Sequence, residues 1–424
     1  MSMIYNLTKF NETWETRKLR SLGDFSRGKS THRPRNDHAL YDGGGFPFIQ
    51  TGDIKAAELF IVQHQQEYNE IGLAQSRLWD KGTLAITIAA NIAETGIIAY
   101  PMCFPDSVVG FKAFPNETTE LYMHYIFAFI RASIQKSVGG SIQDNINIDY
   151  LENLNFKIPD KSVQDEIVRV LSTIDRKIAL NNAIILELEE TAKTLYDYWF
   201  VQFDFPDENG KPYKSSGGKM IWNYQLKKKI PSIWGVKELK YFVRIATGSF
   251  DPRKFANTIV EHYSIPAFDN GKYPVFELAE NIGSTKYGVE KGTILVSKLN
   301  PQFSRVWDTY CYSDNAICST EFIPYRCVDS DLYSFVYTLM NSERFHKLLC
   351  ANTSSSTGSR SRVTPEDTLN FIFPEPERHI MTSFASVCNP MLSKMKLLYS
   401  ENKTLTDLRD LLLPLLMNGQ VQVL

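Results

Sequence analysis

The second half of this 424-residue chain repeats the first half in the same order. Four short matches recur at spacings of 220, 210, 211 and 215 residues: WETRKL at 14–19 with WGVKEL at 234–239, KGT at 81–83 and 291–293, LY at 121–122 and 332–333, and LNF at 154–156 and 369–371. Matches in a constant order at a nearly constant spacing indicate a duplicated structural unit. Two domains also suit the length, because a single core rarely extends beyond about 250–300 residues.

Each repeat is followed by the pattern of a long helix. Alternating steps of four and three residues select Ile167, Leu171, Ile174, Ile178, Asn181, Ile185, Leu188, Ala192, Leu195 and Trp199. The same steps, taken 213 residues later, select Ile380, Phe384, Val387, Met391, Lys394, Leu398, Glu401, Leu405, Leu408 and Leu412. This spacing is that of a coiled-coil seam, and matching Asn181 with Lys394 predicts a shared polar position that fixes the register.

One such helix alone would equally well pack on its own domain. Two seams of equal length, each directly after a repeat, favour antiparallel pairing with each other. A helix of 33 residues is about 50 Å long at about 1.5 Å per residue, so the pair would form a spacer with one domain at each end. Pro390 is expected to kink the second helix or to shorten its ordered part.

Composition marks the boundary between the two halves. Residues 205–220 (FPDENGKPYKSSGGKM) combine Pro, Gly, Ser and Lys, as surface linkers do. The chain therefore divides into a first domain (1–160), a central helical region (161–204), a linker with the second domain (205–375) and a C-terminal helical region (376–424). Short β-rich runs alternate with polar turns and a helix in each domain, which predicts a mixed α/β (α+β) fold with pseudo-two-fold symmetry.

Composition also argues against several classes of protein. No apolar run reaches the roughly 18 residues that cross a bilayer, and the N-terminus lacks the features of a secretory signal, so we expect a cytoplasmic protein. Six cysteines without a CxxC pair predict reduced thiols, with neither a disulfide framework nor a metal site. A formal net charge of -2 is unfavourable for binding nucleic acid unless positive charge is concentrated locally.

Positive charge is indeed concentrated in loops at equivalent places of the two repeats. RGKSTHRPRN at 27–36 corresponds to DPRK at 251–254, and GGSIQ at 139–143 corresponds to SSSTGSRSR at 354–362. Arginine can grip guanine and Gln or Asn adenine, whereas Ser, Thr and glycine amides suit phosphate oxygens. Solvated surface loops are the simpler alternative for any one of them. The predicted DNA contacts are Arg27, Lys29, Ser30, Arg33, Arg35, Thr51, Asn91, Gly140, Ser141 and Gln143 in the first domain, and Ser249, Arg253, Lys254, Lys298, Asn300, Arg305, Ser359, Arg360 and Arg362 in the second.

Two segments come close to catalytic motifs. GDFSRGKS at 23–30 matches the phosphate-loop pattern, but it lacks the preceding buried strand and the following helix that this chemistry requires. NPQF at 300–303 approaches the NPPY/F loop of adenine methyltransferases without a glycine-rich cofactor turn upstream. We therefore expect no catalytic centre in this chain. A stand-alone adenine methyltransferase using Asn300 to Phe303, and a coiled-coil scaffold that ignores DNA, are the alternatives.

Four segments resemble the specificity subunits of type I restriction-modification enzymes: FPFIQTGDI at 46–54, GTLAITIAANIAETG at 82–96, the helical segment at 158–182 and LRDLLLPLLMNGQV at 408–421. The resemblance covers nearly the whole chain and is most specific over 154–206. It implies two target-recognition domains, each of which reads one half of a split, non-palindromic site in double-stranded DNA. The helices would fix the gap between the two half-sites.

The resemblance also implies the partners and their cofactors. Two modification subunits would dock on the helical regions and methylate adenine from S-adenosylmethionine, and two restriction subunits, where present, would add translocation and cleavage that depend on ATP and Mg. No cofactor is implied for this chain itself. One departure stands out, because the counterpart of FPFIQTGDI is YPVFELAENI from Tyr273, which lacks the polar Thr-Gly-Asp.

Overall fold

The computed structural model describes residues 4–138, 146, 148–246, 248–355 and 361–422. Contacts divide the chain into two compact units. Unit 1 comprises Met1–Ala179 and Thr404–Leu424, and unit 2 comprises Leu180–Lys403. The division between the units therefore falls inside each of the two longest helices, α5 (Lys161–Tyr196) and α10 (Arg378–Met417).

Unit 1 contains strands and helices in the mixture that the sequence predicts. Its strands are β1 (Glu15–Lys18), β2 (Gly23–Arg27), β3 (Phe46–Phe48), β4 (Phe60–Ile61), β5 (Gln66–Tyr68), β6 (Leu78–Trp79), β7 (Leu84–Thr87), β8 (Thr95–Ile98), β9 (Met102–Cys103), β10 (Val108–Ala113) and β11 (Asn155–Ile158). Its helices, besides its parts of α5 and α10, are α1 (Thr51–Ala56), α2 (Glu70–Ala74), α3 (Glu120–Val138) and α4 (Ile148–Glu152).

The strands of unit 1 form two sheets and a separate pair. The larger sheet has the order β2-β10-β7-β8-β4, and the second sheet has the order β5-β3-β9-β6. Strands β1 and β11 pair antiparallel, which joins the start of the domain to the segment that leads into α5. Strand β3 runs parallel to β9 and antiparallel to β5.

Unit 2 is built from a longer series of elements. Its strands are β12 (Met220–Asn223), β13 (Lys228–Pro231), β14 (Gly235–Glu238), β15 (Val243–Ile245), β16 (Ser249–Phe250), β17 (Ile259–Tyr263), β18 (Val275–Leu278), β19 (Lys286–Gly288), β20 (Thr293–Ser297), β21 (Val306–Asp308), β22 (Ala316–Cys318), β23 (Phe322–Cys327), β24 (Thr353–Ser355), β25 (Ser361–Val363) and β26 (Ile372–Glu375). Its helices, besides its parts of α5 and α10, are α6 (Ile265–Asp269), α7 (Tyr333–Met340), α8 (Glu343–Ala351) and α9 (Pro365–Thr368).

The sheets of unit 2 reproduce those of unit 1. The order β15-β23-β20-β21 repeats β2-β10-β7-β8, and the pair β14-β26 repeats β1-β11. The order β18-β17-β22-β19 repeats β5-β3-β9-β6, including the parallel contact between its two central strands. Strand β17 and helix α6 are therefore the counterparts of β3 and α1. The sequence match of FPFIQTGDI with the segment from Tyr273 was wrong, because loops of different length displace that part of the repeat.

Each unit has its own hydrophobic cores, and both long helices contribute to them. In unit 1, Ile167 and Leu171 of α5 share a core with Leu416 and Met417 of α10. In unit 2, Ala192, Tyr196 and Trp199 share a core with Phe384 and Cys388. Inside each unit, higher numbers in α5 meet lower numbers in α10, so the two helices run antiparallel there. None of the helices in the described part of the chain has the length and apolar character needed to cross a membrane.

The positions predicted on α5 face inward. Most of them are buried, and Leu188 and Leu195 are half-buried. On α10, Phe384 and Leu398 are buried, and Met391, Leu405 and Leu412 are half-buried. Val387 and Leu408, however, are 43% and 42% exposed, and Lys394 is also exposed. The prediction of these three as seam residues was wrong.

The error has a simple geometric cause. Lys161 begins α5 and Arg378 begins α10, 217 residues later, so copying the pattern at 213 puts the steps of three and four out of phase. At 217, the inward positions become Phe384, Cys388, Met391, Met395, Leu398, Asn402, Leu405, Arg409, Leu412 and Leu416. Helix α10 continues through Pro390, so the expected shortening did not occur.

Candidate nucleic-acid interface

In unit 1, three segments meet at the edge of the larger sheet where β2 and β7 end and β10 begins. The Ile88 N–H, directly after β7, donates to the Ser107 carbonyl at 3.0 Å, and the Ile88 carbonyl accepts from the Ile146 N–H at 2.9 Å. The Gly28 N–H, directly after β2, donates to the Val108 carbonyl at 2.7 Å. These bonds hold together the loop after β2, the loop after β7, the segment before β10 and the chain that leads into α4.

Unit 2 repeats this arrangement with equivalent hydrogen bonds. The Lys298 N–H, directly after β20, donates to the Glu321 carbonyl at 2.9 Å, and the Lys298 carbonyl accepts from the Val363 N–H at 3.1 Å. The Ala246 N–H, directly after β15, donates to the Pro324 carbonyl at 2.8 Å. The same loops therefore converge at the same edge of both units, which we call the loop edge of each unit.

The loop after β2 packs closely on the chain before β10. A Cβ atom on Gly28 would lie 2.2 Å from the Pro105 carbonyl oxygen, so only glycine permits this approach. The Lys29 N–H donates to the Phe104 carbonyl at 3.0 Å. Ser30 becomes only 5% exposed as a result, so its prediction as a DNA contact was wrong.

The basic loop of unit 1 is partly neutralised by a carboxylate that the sequence pattern did not reveal. Arg35 Nη2 donates to both carboxylate oxygens of Asp106, at 2.9 and 2.7 Å, and Arg33 Nη2 lies 3.7 Å from the same group. Arg33 Nη1 also donates to the Ser30 and His32 carbonyls, both at 2.8 Å. The two guanidinium groups are thereby oriented, and about half of each side chain stays exposed.

Two cations of the same loop are differently placed. Arg27 and Lys29 are exposed, and within the described residues no carboxylate lies within 4 Å of either side chain. Their charge is therefore available to an anionic partner. Asn91 lies in the loop after β7, where its Oδ1 accepts from Lys55 Nζ at 3.3 Å. Thr51 is half-buried at the start of α1.

In unit 2 a carboxylate just before the equivalent strand has the same role, with a different arginine. Glu321 accepts two hydrogen bonds from Arg362, from Nε at 3.1 Å and from Nη2 at 2.7 Å. This contact raises the pKa of the Arg362 guanidinium. Arg305, in the loop after β20, donates to both carboxylate oxygens of Asp269 at 2.7 and 2.9 Å. Lys298 is half-buried at the base of that loop.

The segment NPQF at 300–303 forms a turn on this edge. Asn300 adopts a left-handed conformation with φ of 49°, its N–H donates to the Ser361 carbonyl at 2.9 Å, and its Oδ1 accepts from the Ser361 N–H at 3.2 Å. The Asn300 side chain is thus engaged by the neighbouring strand. This structural turn is the identity that the sequence favoured.

Several predicted residues lie elsewhere. Ser249, Arg253 and Lys254 belong to β16 and to a turn at Pro252–Phe255 that packs against Ala279–Asn281. Arg253 pairs with Asp251 at 3.0 Å, and this hydrogen bond lowers the pKa of the Asp251 carboxyl. Within the described part of the chain, no hydrogen bond of this turn reaches the loop after β20. The predicted contacts Gly140, Ser141, Gln143, Ser359 and Arg360 lie outside the described residues.

The catalytic motifs find no support in the local geometry. Gly23 to Arg27 of the phosphate-loop pattern form strand β2 of the larger sheet, so they do not surround a phosphate. Across the described ranges, no group of three or more His, Cys, Asp or Glu side chains is arranged to hold a metal ion.

Comparison with known proteins explains the duplicated frame. Residues 11–190 match the family model for the type I restriction modification DNA specificity domain. The chain is 22% identical over 449 residues to the type I restriction enzyme MjaIX specificity subunit of Methanocaldococcus jannaschii, covering 99% of this chain and 96% of that protein. It is 23% identical over 372 residues to the HindI specificity subunit of Haemophilus influenzae, covering 72% and 75% respectively. The chain belongs to the specificity-subunit family of type I restriction-modification systems.

A solved structure supports the fold of this specificity subunit. The type I restriction-modification S subunit from M. genitalium matches it with a TM-score of 0.61 at 15% identity, covering 100% of both chains. The mixed α/β fold expected from the sequence is therefore confirmed. The alternatives of a stand-alone methyltransferase and a DNA-indifferent scaffold are not favoured by these relatives.

Proposed function

We propose that this specificity subunit reads a bipartite, asymmetric DNA site, with one half-site contacted by the loop edge of each unit. The observation that carries this proposal is the pair of equivalent hydrogen bonds at Ile88 and Lys298, which brings the same loops together on a duplicated frame. The frame is shared while the side chains on the loops differ. Two such edges would read two different sequences.

The charged side chains on each edge divide into two groups by their surroundings. Arg27 and Lys29 have no carboxylate partner within 4 Å among the described residues, so they suit phosphate contacts, which supply affinity without sequence information. Arg35, Arg305 and Arg362 are each held by two hydrogen bonds to a carboxylate. A fixed guanidinium loses little entropy on contacting a guanine edge or a phosphate, and this suits positions that choose between bases.

The long helices would set the distance between the half-sites. We propose two target-recognition domains, within 1–160 and 205–375, separated by the antiparallel helices of 161–204 and 376–424 in a pseudo-two-fold arrangement. A spacer of about 50 Å spans about 15 base pairs at about 3.4 Å per pair, as an upper bound. Half-sites about one helical turn apart or slightly closer would be reached from one side of the duplex.

The chain would position catalysis that other subunits perform. We propose that it is non-catalytic and binds no cofactor, and that two modification subunits dock on its helical regions and use S-adenosylmethionine. Two restriction subunits, using ATP and Mg, would join the same assembly in the cytoplasm. These proposals rest on membership of the family and on the wording of the relatives' names.

Methylome sequencing tests the proposal directly. Cells that carry the modification subunit, with and without this chain, should differ by one split methylation motif. Exchanging residues 15–158 for the matching domain of a relative should change one half of the motif and leave the other half intact. A motif that stays the same after the exchange, or that persists without the chain, would contradict the proposal.

A further test separates this chain from a methyltransferase. Purified chain should not be labelled by photo-cross-linking to S-adenosylmethionine, whereas the modification subunit in the same tube should be. Substituting both Arg27 and Lys29 with Ala should weaken DNA binding by the assembled methyltransferase about tenfold, and the matched change Lys211→Ala, on the exposed linker, should not. Labelling of the isolated chain would favour the methyltransferase alternative.

A further inference from the structure

Unit 2 contains a cavity of about 700 Å³ at the end of its sheet that is opposite to the loop edge. The cavity lies beside Lys291 and Gly292, which precede β20, whereas the loop edge begins at Lys298, which follows β20. A strand of this length spans about 17 Å. The cavity is therefore a separate feature from the proposed DNA contacts of the same unit.

The lining of this cavity is strongly cationic. Arg244, Lys291, Arg326 and Lys396 contribute four positive charges, and Asp308 is the single carboxylate among the lining residues that the structure describes. The whole chain, by contrast, has a formal net charge of -2. Such a local excess of cations is the electrostatic requirement of a site for anions.

Two of these cations are directly opposed. Arg244 of β15 is the cross-strand partner of Arg326 of β23. The equivalent positions in unit 1 are Asp24 of β2 and Lys112 of β10, which carry opposite charges. Like charges directly opposite each other destabilise an antiparallel pair. Unit 2 therefore carries an unfavourable pair at the place where its duplicate carries a favourable one, and an anion between the guanidinium groups would remove the repulsion.

The described carboxylates compensate these cations only in part. Arg326 forms an ion pair with the largely exposed Glu290. Lys396 Nζ lies 5.2 Å from the centre of the Tyr310 ring and donates to the Tyr310 carbonyl at 3.4 Å. No carboxylate within the described ranges lies within 4 Å of Arg244 or Lys396. Both therefore have capacity for a further anionic partner.

We propose that this cavity binds a small molecule that carries a polyphosphate group. Guanidinium groups contact phosphate oxygens in a bidentate manner, and lysines add point charges. The volume lies within the roughly 300–1,000 Å³ of typical ligand sites. Tyr310 and Tyr333 line the wall, where they offer apolar surface to a group attached to the phosphates.

Calorimetric titration of the full chain tests this proposal with pyrophosphate, ATP and adenosine as probes. Pyrophosphate and ATP should bind, and each should raise the thermal midpoint of unfolding by several degrees at about 100 times its Kd. Adenosine should not bind. Equal affinity for adenosine and ATP, or no binding of either phosphate compound at millimolar concentration, would overturn the proposal.

Charge reversal of one arginine gives the sharper test. Arg244→Asp recreates the opposite-charge pair of unit 1, so we expect the thermal midpoint without ligand to be equal to or above that of the wild type. The same variant should lose at least tenfold in affinity for pyrophosphate. Lys211→Asp, which makes the same change in net charge on the linker, should lose less than twofold.

Two further measurements keep the proposal falsifiable. Lys291→Glu alters an exposed lining residue and should also lower the affinity for pyrophosphate several-fold, even if Arg244→Asp folds poorly. Duplex DNA should not displace pyrophosphate. Displacement by DNA would assign the cavity to the DNA path, and a lowered midpoint of a folded Arg244→Asp variant would refute the repulsion on which the proposal depends.

Discussion

In unit 1, strands β2 and β10 place Asp24 opposite Lys112, whereas the equivalent strands of unit 2 place Arg244 opposite Arg326. The strand order and register of the two sheets are otherwise the same. Backbone hydrogen bonds and the buried face therefore define the frame, and the charges at its edges are free to differ. A duplicated domain can acquire a second binding property in one copy without changing its fold.

The loop edges differ in the same way. The carboxylate just before the equivalent strand is Asp106 in unit 1 and Glu321 in unit 2, but Asp106 holds arginines from the loop after β2, and Glu321 holds Arg362 of β25. Each unit therefore presents its fixed guanidinium from a different part of the chain. Contacts assigned in one unit should not be transferred to the other.

The contact between the long helices also differs between the units. In unit 1, Arg409 Nη1 lies 3.2 Å from the carboxylate of Asp175, which also accepts from the Tyr125 hydroxyl at 2.6 Å. In unit 2, Asn181 Nδ2 donates to Glu401 and to Asn402, both at 2.9 Å. One unit thus uses a buried charge and the other uses amides.

The largest effect is expected from breaking the charged contact of unit 1. Asp175 is 7% exposed, so Asp175→Ala leaves Arg409 without its buried partner and the Tyr125 hydroxyl without an acceptor. We expect the free energy of unfolding of unit 1 to fall by about 3 kcal/mol, measured by hydrogen exchange along α3 and α5. The control is Asp410→Ala, which removes the exposed partner of Arg409. A change below about 1 kcal/mol for Asp175→Ala would show that the pair contributes little.

The next effect concerns a position that is apolar in unit 1 and charged in unit 2. Asp308 faces Ile294 across β20 and β21, where unit 1 has Ile97 facing Leu84. Burial raises the pKa of Asp308 to about 6 from its ordinary 3.8, although the Tyr333 hydroxyl and Lys396 oppose the shift. The folded state binds the proton more tightly than the unfolded state, so stability falls as the pH rises from about 4 to about 6.

Asp308→Asn should remove this dependence. We expect the variant to be more stable than the wild type by about 2 kcal/mol at pH 7 and equally stable near pH 4, measured by thermal unfolding across this range. Tyr310 and Tyr337, which also face the carboxylate, stay neutral over these pH values. A stability difference that is the same at pH 4 and pH 7 would contradict the ionisation of Asp308 as its cause.

How far the sequence predicts this structure depends on the distance over which each signal acts. The repeat and the two long helices are evident because their patterns are local and occur twice. The phase of α10 was wrong because adjacent positions such as Val387 and Cys388 are both apolar, so the pattern fits either. Only the length of the loops, which is not repeated, decides between them.

The loop edges were predicted less completely for a related reason. The residues of the basic loop are adjacent in sequence, but Asp106 lies 71 positions from Arg35 and comes near it only through the order of the strands. An acidic residue just before the long strand of each repeat was the available signal. The burial of Ser30 had no such signal, because it depends on the close approach at Gly28.

A double-mutant cycle distinguishes the observed helix phase from the predicted one. Asn181→Ala and Asn402→Ala should be coupled by about 0.5–1 kcal/mol in the free energy of unfolding, since the two side chains share a hydrogen bond. Asn181→Ala and Lys394→Ala, the pair predicted from the repeat, should show no coupling. The reverse result would restore the predicted phase.

The smallest effect, a change of a few-fold in affinity, separates the loop edge from the cavity. Asp106→Asn releases Arg33 and Arg35, and Glu321→Gln releases one of the contacts of Arg362. Each released cation that meets a phosphate should steepen the slope of log K against log salt by about 1. We therefore expect a steeper slope for DNA binding by the assembled methyltransferase with Asp106→Asn than with Glu321→Gln. Glu290→Gln is the matched control, because it releases Arg326 at the opposite end of the sheet. If Glu290→Gln steepens the slope equally, the DNA follows the cavity as well as the loop edge, and the two ends of unit 2 are not separate surfaces.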